Sequence, residues 1–357
     1  MALRQGVSLL ALAFGLLLGL DSLIFRIGPY TRFLEPESSS GQVELVLARE
    51  RQAQSQSGDN LVATLGDSRL SYYPREATTR GYFLRQAGLA GSSPRAWYYI
   101  LRDLDPTASR YRAVVLAVND FDDEDMSFCE ADDLRSVHFT AARLGFADVA
   151  EMVSSYPSWR ARWEALLGTV LKGYAYQADV RAFLDHPRKR LADIRAARQG
   201  FPQWTGDFVE SDETLEGLEI DWSTYVVTYP PGATPNQRQT IDSFLARRPV
   251  AQSGMTAAFR RRWLGKIVDR YRGSRTKVIF IRLPRGAMVR PDGLVQKLSS
   301  SVRDLASRPN VLLADEHAFD SLEQRALFKD GLHLNHLGNL RFSRLLADEV
   351  ARLLGPP

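Results

Sequence analysis

Beyond a first apolar stretch, the chain alternates between short apolar runs of strand length and longer stretches of helical periodicity. Leu61–Leu65, Ala113–Val118, Val278–Leu283 and Val311–Ala314 are such runs, each closed by a polar or glycine cluster. Nearly continuous apolar runs, as opposed to alternating ones, predict strands buried on both faces of a parallel sheet. A weaker strand is expected over Tyr82–Ala87. Helices are expected over Ala96–Leu104, Met255–Tyr271 and Leu340–Leu354. Strands alternating with helices predict an α/β fold, a doubly wound and mostly parallel sheet between two helical layers.

This pattern breaks between about residues 125 and 255. There the sequence carries helical stretches with Trp159, Trp163, Tyr174 and Tyr176, then a loop-rich part from Gly200 to Pro235. The expected organisation has five parts: an anchor over 1–27, a polar stalk over 28–60, a first core segment over 61–124, a mostly helical insertion over 125–255 and a second core segment over 256–357. The stalk is rich in Ser, Gln and Glu, with a helical part around Val43 to Arg51.

The first apolar stretch, Val7 to Phe25, would span roughly 28 Å as a helix, close to the thickness of a bilayer core. Asp21 and Ser22 interrupt it, and the uninterrupted part to Leu20 also fits the hydrophobic region of a secretory signal. Leu18-Gly19-Leu20-Asp21 is a poor match to the small-residue pair of a cleavage site, so an uncleaved signal-anchor is expected, with a cleaved signal as the alternative. Arg4 on one side faces Arg26 and Arg32 on the other. Export of the larger part is the expected outcome: a single-pass protein of the inner (cytoplasmic) membrane with its bulk on the periplasmic side.

Composition narrows the classes. Of 357 residues, 45% are hydrophobic and 25% charged, ordinary values for a globular chain. The single cysteine, Cys129, excludes an intramolecular disulfide and a cysteine-built zinc cage. The net charge is +4, from six lysines, forty arginines and 42 acidic residues spread along the chain. Nucleic-acid binding is not expected, because a phosphate-tracking surface needs a concentrated patch.

Four short pieces carry candidate chemistry, each at the carboxyl end of an expected strand or before the last helix. Gly66-Asp67-Ser68-Arg69 follows the first strand, where a serine on a tight turn exposes its hydroxyl and aims its own N–H at the same space. Asp330-Gly331-Leu332-His333 precedes the last helix, a spacing that puts a carboxylate and an imidazole on one side of a turn. Asn119 follows the third strand and offers an amide donor to a developing oxyanion. Gly91, in Gly88-Leu89-Ala90-Gly91, offers a backbone N–H that a substrate can approach closely, with Gly88 as its rival. Ligands of open α/β sheets bind outside the carboxyl ends of the strands.

Together these pieces resemble the SGNH, or GDSL-type, hydrolase superfamily, whose four blocks supply Ser, Gly, Asn and His in that order. The resemblance covers roughly 61–120 and 277–350. It implies Ser68 as nucleophile, His333 as base supported by Asp330, and an oxyanion hole of Ser68, Gly91 and Asn119. Ala117 stands where the family usually has glycine, and Gln86 where it has asparagine. The anchor, the Gly-Asp-Ser-Arg form, the large insertion and His333-Leu334-Asn335-His336-Leu337-Gly338 are similar to membrane-anchored members acting in O-acylation of exported polymers. Alginate acetylation and teichoic-acid D-alanylation proteins are examples, and these work beside a membrane-bound O-acyltransferase.

The expected function is serine-dependent acyl transfer, of an acetyl group, to or from a cell-surface or exported polysaccharide, with no cofactor and no metal. One alternative is an anchored esterase or lipase on small or lipid esters. Another is a non-catalytic partner of a membrane-bound O-acyltransferase that keeps the fold. Arg69, Arg282 and Arg285 lie near strand ends and are candidate substrate-binding residues. His336 is a rival base, and Asp315 with His317 a rival pair. His138 and His186 are expected to be ordinary surface or packing residues, Asp122–Asp125 a solvated loop, and Cys129 unreactive. Trp159, Trp163 and Trp204 are candidate faces for sugar rings or for a docking protein.

Overall fold

The structure, a computed structural model, describes residues 2–52, 60–78, 80–118, 130–140, 143–200, 211–247, 254–288 and 301–356. The chain is α/β, and it divides into two compact units, one of 1–54 with 131–203 and one of 55–130 with 204–357.

The second unit holds all seven described strands: β1 (Leu61–Leu65), β2 (Phe83–Gln86), β3 (Ala113–Val118), β4 (Glu219–Asp221), β5 (Val226–Thr228), β6 (Lys277–Arg282) and β7 (Val311–Leu313). Five of them form a sheet in the order β2-β1-β3-β6-β7, and every pairing in it is parallel. β4 and β5 form a separate antiparallel hairpin. The continuous apolar runs explain the sheet. All residues of β1 and β3 are buried, as are all of β6 but Lys277. Each fully buried Val, Leu, Ile or Phe contributes roughly 1.5–3 kcal/mol, so a polar break in these runs would be costly. The chain passes from β1 to β2 on one side and to β3 on the other, so strand order reverses at the β1/β3 boundary. In such sheets a crevice opens there.

Helices cover the sheet with one apolar stripe each. In Pro94–Leu104 the buried face is Ala96, Trp97, Ile100, Leu101 and Leu104, and proline at the first position suits the helix start. In Gly254–Arg270 it is Phe259, Trp263, Leu264, Ile267 and Val268. The last helix, His336–Leu354, begins at Asn335, whose Oδ1 accepts the Gly338 N–H at 2.9 Å, and stops at Gly355 with φ +77°.

The first unit consists of helices. Ala2–Asp21 runs into a wider turn, Ser22–Ile27, and Ser8–Ile27 is long and apolar enough to cross a membrane, with leucines 9, 10, 12, 16, 17 and 20 exposed. The residues that interrupt its apolar run are the ones that dock it. Asp21 is buried and accepts the N–H groups of Lys172 (2.9 Å) and Gly173 (2.6 Å). Arg26 donates to the carbonyls of Leu144 (3.0 Å), Thr169 (2.6 Å) and Val170 (2.9 Å) and lies over the Phe146 ring. Farther on, buried Arg190 pairs with Glu35 at 2.7 Å and Asp179 at 3.0 Å, and Tyr30 donates to Asp179 at 2.7 Å. The stalk helix is Ser39–Gln52.

The stretch expected as one insertion over 125–255 therefore divides. Residues 131–203 group with the amino-terminal helix and the stalk helix, and the rest groups with the sheet. Charged side chains that meet partners more than a hundred residues away join the parts of this unit, beside an apolar cluster of Phe25, Tyr30, Leu34 and Tyr176, and no local pattern announces these contacts.

Candidate active site

The chain leaves β1 through Gly66 into a turn closed by the Leu70 N–H donating to the Asp67 carbonyl at 3.1 Å. Gly66 is required by space: a Cβ there would lie 2.8 Å from Leu70 Cβ and 3.0 Å from Ala117 Cβ. Ala117, at the place the resembled family gives to glycine, thus puts its own methyl against the glycine that follows the neighbouring strand. Ser68 stands in this turn, outside any helix, half-buried. Its Oγ lies 2.8 Å from His333 Nε2, across 265 residues of sequence.

His333 sits on the loop before the last helix. Its Nδ1 is 3.0 Å from Asp330 Oδ2 and 3.2 Å from Oδ1, and Oδ1 also accepts the N–H groups of Leu332 (2.8 Å) and His333 (2.7 Å). Asp330 is 3% exposed. Burial pushes its carboxyl up. The hydrogen bond and charge of His333, with those two backbone N–H groups, outweigh burial and hold it below the ordinary carboxylate range. The serine hydroxyl, imidazole and carboxylate thus form one relay: an ionised acid fixes the ring so that its far nitrogen meets the hydroxyl.

Asp67 lies beside this relay. Burial pushes its carboxyl up as well, and the Arg69 guanidinium, its hydrogen bonds and the His333 charge bring it below its ordinary value. The Arg69 guanidinium is spent on that carboxylate, with Nε at 3.0 and 3.2 Å from its two oxygens and Nη2 at 2.7 Å. Arg285 is likewise engaged, forked onto Glu323 at 2.6–3.1 Å and 3.3 Å from Asp320. Arg282 is buried at the end of β6. For Arg69 and Arg285 the geometry describes loop fastening in place of open substrate cations.

The two glycines after β2 differ. The Gly88 N–H donates to the Thr64 carbonyl at 3.0 Å, and a Cβ at Gly88 would run into the Gly66 backbone at 2.6–2.7 Å. Gly91 has φ +71° in the turn closed by Ser92 N–H onto Leu89 O, and no described residue accepts its N–H. Gln86 donates to the Leu70 carbonyl at 3.1 Å, tying the end of β2 to the turn that carries Ser68. Asn119 lies outside the described residues, as do Asp122–Asp125, Cys129 and Trp204.

The rival histidines go elsewhere. His336 Nδ1 is 2.5 Å from the Tyr73 hydroxyl, and the ring Nδ1 of exposed His317 is 2.7 Å from Asp320, while its backbone N–H donates to Asp315 at 2.9 Å. His138 and His186 are exposed in the first unit, as are Trp159 (77%) and Trp163 (49%). Sequence reasoning did not single out Gln237, whose side chain donates to the Lys329 carbonyl at 2.8 Å. The only local signal there is Thr234-Pro235-Asn236-Gln237, which marks a helix start. Comparison with known proteins adds no relative: no protein-family model matches the chain, and no curated protein matches it.

Proposed function

We propose that this chain is a serine-dependent acyl-transfer enzyme of the SGNH type, fixed to a membrane by its amino-terminal helix. The observation that carries this reading is the continuous Ser68–His333–Asp330 relay, with its base 2.8 Å from the hydroxyl. Ser68 Oγ attacks the acyl carbonyl carbon while His333 Nε2 takes the hydroxyl proton. Asp330 accepts from Nδ1 and stabilises the imidazolium. The Ser68 and Gly91 N–H groups, with the Asn119 amide, receive the oxyanion. Collapse breaks the ester C–O bond, and the leaving oxygen departs with the proton that His333 returns. A sugar hydroxyl or water then gives its proton to His333 and attacks the acyl carbon; the acyl–Oγ bond breaks, His333 returns that proton to Ser68 Oγ, and the acylated sugar or free acid leaves.

The substrate class is an acetyl ester of a cell-surface or exported polysaccharide, or the donor that supplies it, with a membrane-bound O-acyltransferase as neighbour. This part, with a single-pass inner-membrane location and the bulk in the periplasm, rests on the sequence resemblance; the apolar span Ser8–Ile27 supports attachment to a membrane. Transfer and hydrolysis share the relay and differ only in which hydroxyl resolves the acyl-enzyme. The test is labelling of full-length protein with a fluorophosphonate probe, followed by turnover of a chromogenic acetyl ester with and without glycan oligomers. Labelling that is lost in Ser68→Ala and His333→Ala supports the mechanism, and acetylated glycan assigns transfer. Equal labelling of folded wild type and Ser68→Ala would sink it.

A further inference from the structure

The loop that carries Asp330 and His333 is held along its length by a segment the four-block resemblance does not cover. The Leu215 N–H donates to the Arg325 carbonyl at 3.0 Å, and the His336 N–H donates to the Ser211 carbonyl at 2.8 Å. Asn335 Nδ2 donates to the carbonyls of Glu213 (3.1 Å) and Ala326 (2.8 Å). Nearest the relay, Gln237 Nε2 donates to the carbonyl of Lys329, the residue before Asp330, at 2.8 Å. Gly331, the residue after Asp330, lies so close to the next turn that a Cβ would be 2.9 Å from Ile241 Cα. Asp330 is thus bracketed on both sides by the short helical segment 235–245.

We infer that Gln237 is a positioning residue for the Asp330–His333 pair, acting through its hydrogen bond to the Lys329 carbonyl. The inference rests on the serine-relay reading. Gln237 is 6% exposed and serves two purposes at once. Its Oε1 accepts the Thr234 N–H at 2.8 Å while Thr234 Oγ1 accepts the Gln237 N–H at 3.2 Å, a reciprocal helix cap. Its Nε2 makes the tie to Lys329. Glutamate at 237 keeps the acceptor and so keeps the cap, but when ionised it has no hydrogen to give Lys329, and its charge opposes that carbonyl. Removing the Thr234 hydroxyl weakens the cap and leaves the tie. Stability and positioning can therefore be separated.

The experiment uses the full-length protein with a chromogenic acetyl ester, reading kcat, KM, the pH profile and thermal unfolding for wild type, Gln237→Glu, Gln237→Met and Thr234→Ala. Gln237→Glu, on the alkaline plateau where its carboxyl is ionised, and Gln237→Met at any pH are expected to lose about 10- to 100-fold in kcat, with little change in KM. The acid limb of Gln237→Met should move to lower pH, because a displaced Asp330 stabilises the imidazolium less; in Gln237→Glu the added carboxylate opposes that shift. Thr234→Ala should melt a few degrees lower with kcat and the acid limb unchanged. A folded Gln237 variant with kcat within about twofold of wild type, or a kcat loss matched by Thr234→Ala, overturns the inference. Wild-type protein that shows no Ser68-dependent turnover overturns the serine reading itself, a separate outcome.

Discussion

Replacing Asp330 by asparagine isolates what the carboxylate does for the ring. In the native site one oxygen accepts the N–H groups of Leu332 and His333 at 2.8 and 2.7 Å, and the carboxylate accepts from His333 Nδ1 at 3.0 Å. An asparagine carbonyl can keep both backbone bonds, and its amide nitrogen then faces Nδ1. A donor there forces Nδ1 to accept, so the ring proton moves to Nε2 and points at Ser68 Oγ. The base is then occupied by the wrong proton, and the charge that stabilised the imidazolium is gone. A loss of about 10⁴-fold in kcat follows, roughly 5.5 kcal/mol of transition-state stabilisation. Stability should fall by only about 1–2 kcal/mol, because the buried oxygen keeps its partners. The assay is the rate of Ser68 phosphonylation by a fluorophosphonate, with ester turnover and thermal unfolding measured alongside. A folded Asp330→Asn protein that reacts within about tenfold of wild type would refute the role assigned to the carboxylate.

The Asp330 and Asp67 carboxyls both titrate below the ordinary range, so the unfolded chain binds their protons more readily. Their contribution to stability is full above about pH 4 and is lost as pH falls through the depressed folded values; the melting-temperature gap between wild type and Asp330→Asn should close over that window, and a constant gap would contradict it. Gly66→Ala places a methyl group within 3.0 Å of both Leu70 and Ala117, which should cost about 1–3 kcal/mol and slow Ser68 labelling; unchanged values would show that the turn yields freely. Arg26→Ala orphans the carbonyls of Leu144, Thr169 and Val170, so amide hydrogen exchange over 143–173 should accelerate, and unaltered protection would argue against this docking. Intact mass of membrane-extracted protein should retain the amino-terminal helix; a mature start near residues 21–27 would mean a cleaved signal.

The parts of the fold that could be read from the sequence are those where burial alone sets the residue type. β1, β3 and β6 lie inside a parallel sheet with both faces covered, and their apolar runs match their observed bounds within a residue. β2 was the weaker expectation because it lies at an edge: Phe83 is exposed, Leu84 buried, Arg85 half-buried and Gln86 buried, a mixture with no continuous run. The hairpin β4–β5 was not anticipated. Its strands have three residues each and expose most of them, and the Asp221 carboxylate holds the turn by accepting from Ser223 and Thr224. Nothing in so short a stretch outweighs a loop reading until the tertiary fold is known.

At the candidate site the same division follows the range of the interactions. An Asp-x-x-His turn and a serine after a strand are local devices, so spacing together with position relative to the expected strands and the last helix located them, although what joins Ser68 to His333 is the topology of the whole sheet. Arg69 was open to a sharper reading, since Asp67 two residues away is a ready partner for its guanidinium. Arg285 was not, because Glu323 stands 38 residues on. The choice between Gly88 and Gly91 shows the limit most clearly. Both are glycines in one turn-rich stretch, and only pairing distinguishes them: one N–H is committed to the Thr64 carbonyl, while the other stands at φ +71° with no described acceptor. An oxyanion donor must have its hydrogen available before the substrate arrives, so the committed amide is the poorer candidate although its side-chain requirement is the stricter. The need for glycine at 88 is steric, set by the Gly66 backbone, and it supports the turn that carries Ser68 without offering a free N–H to a developing charge.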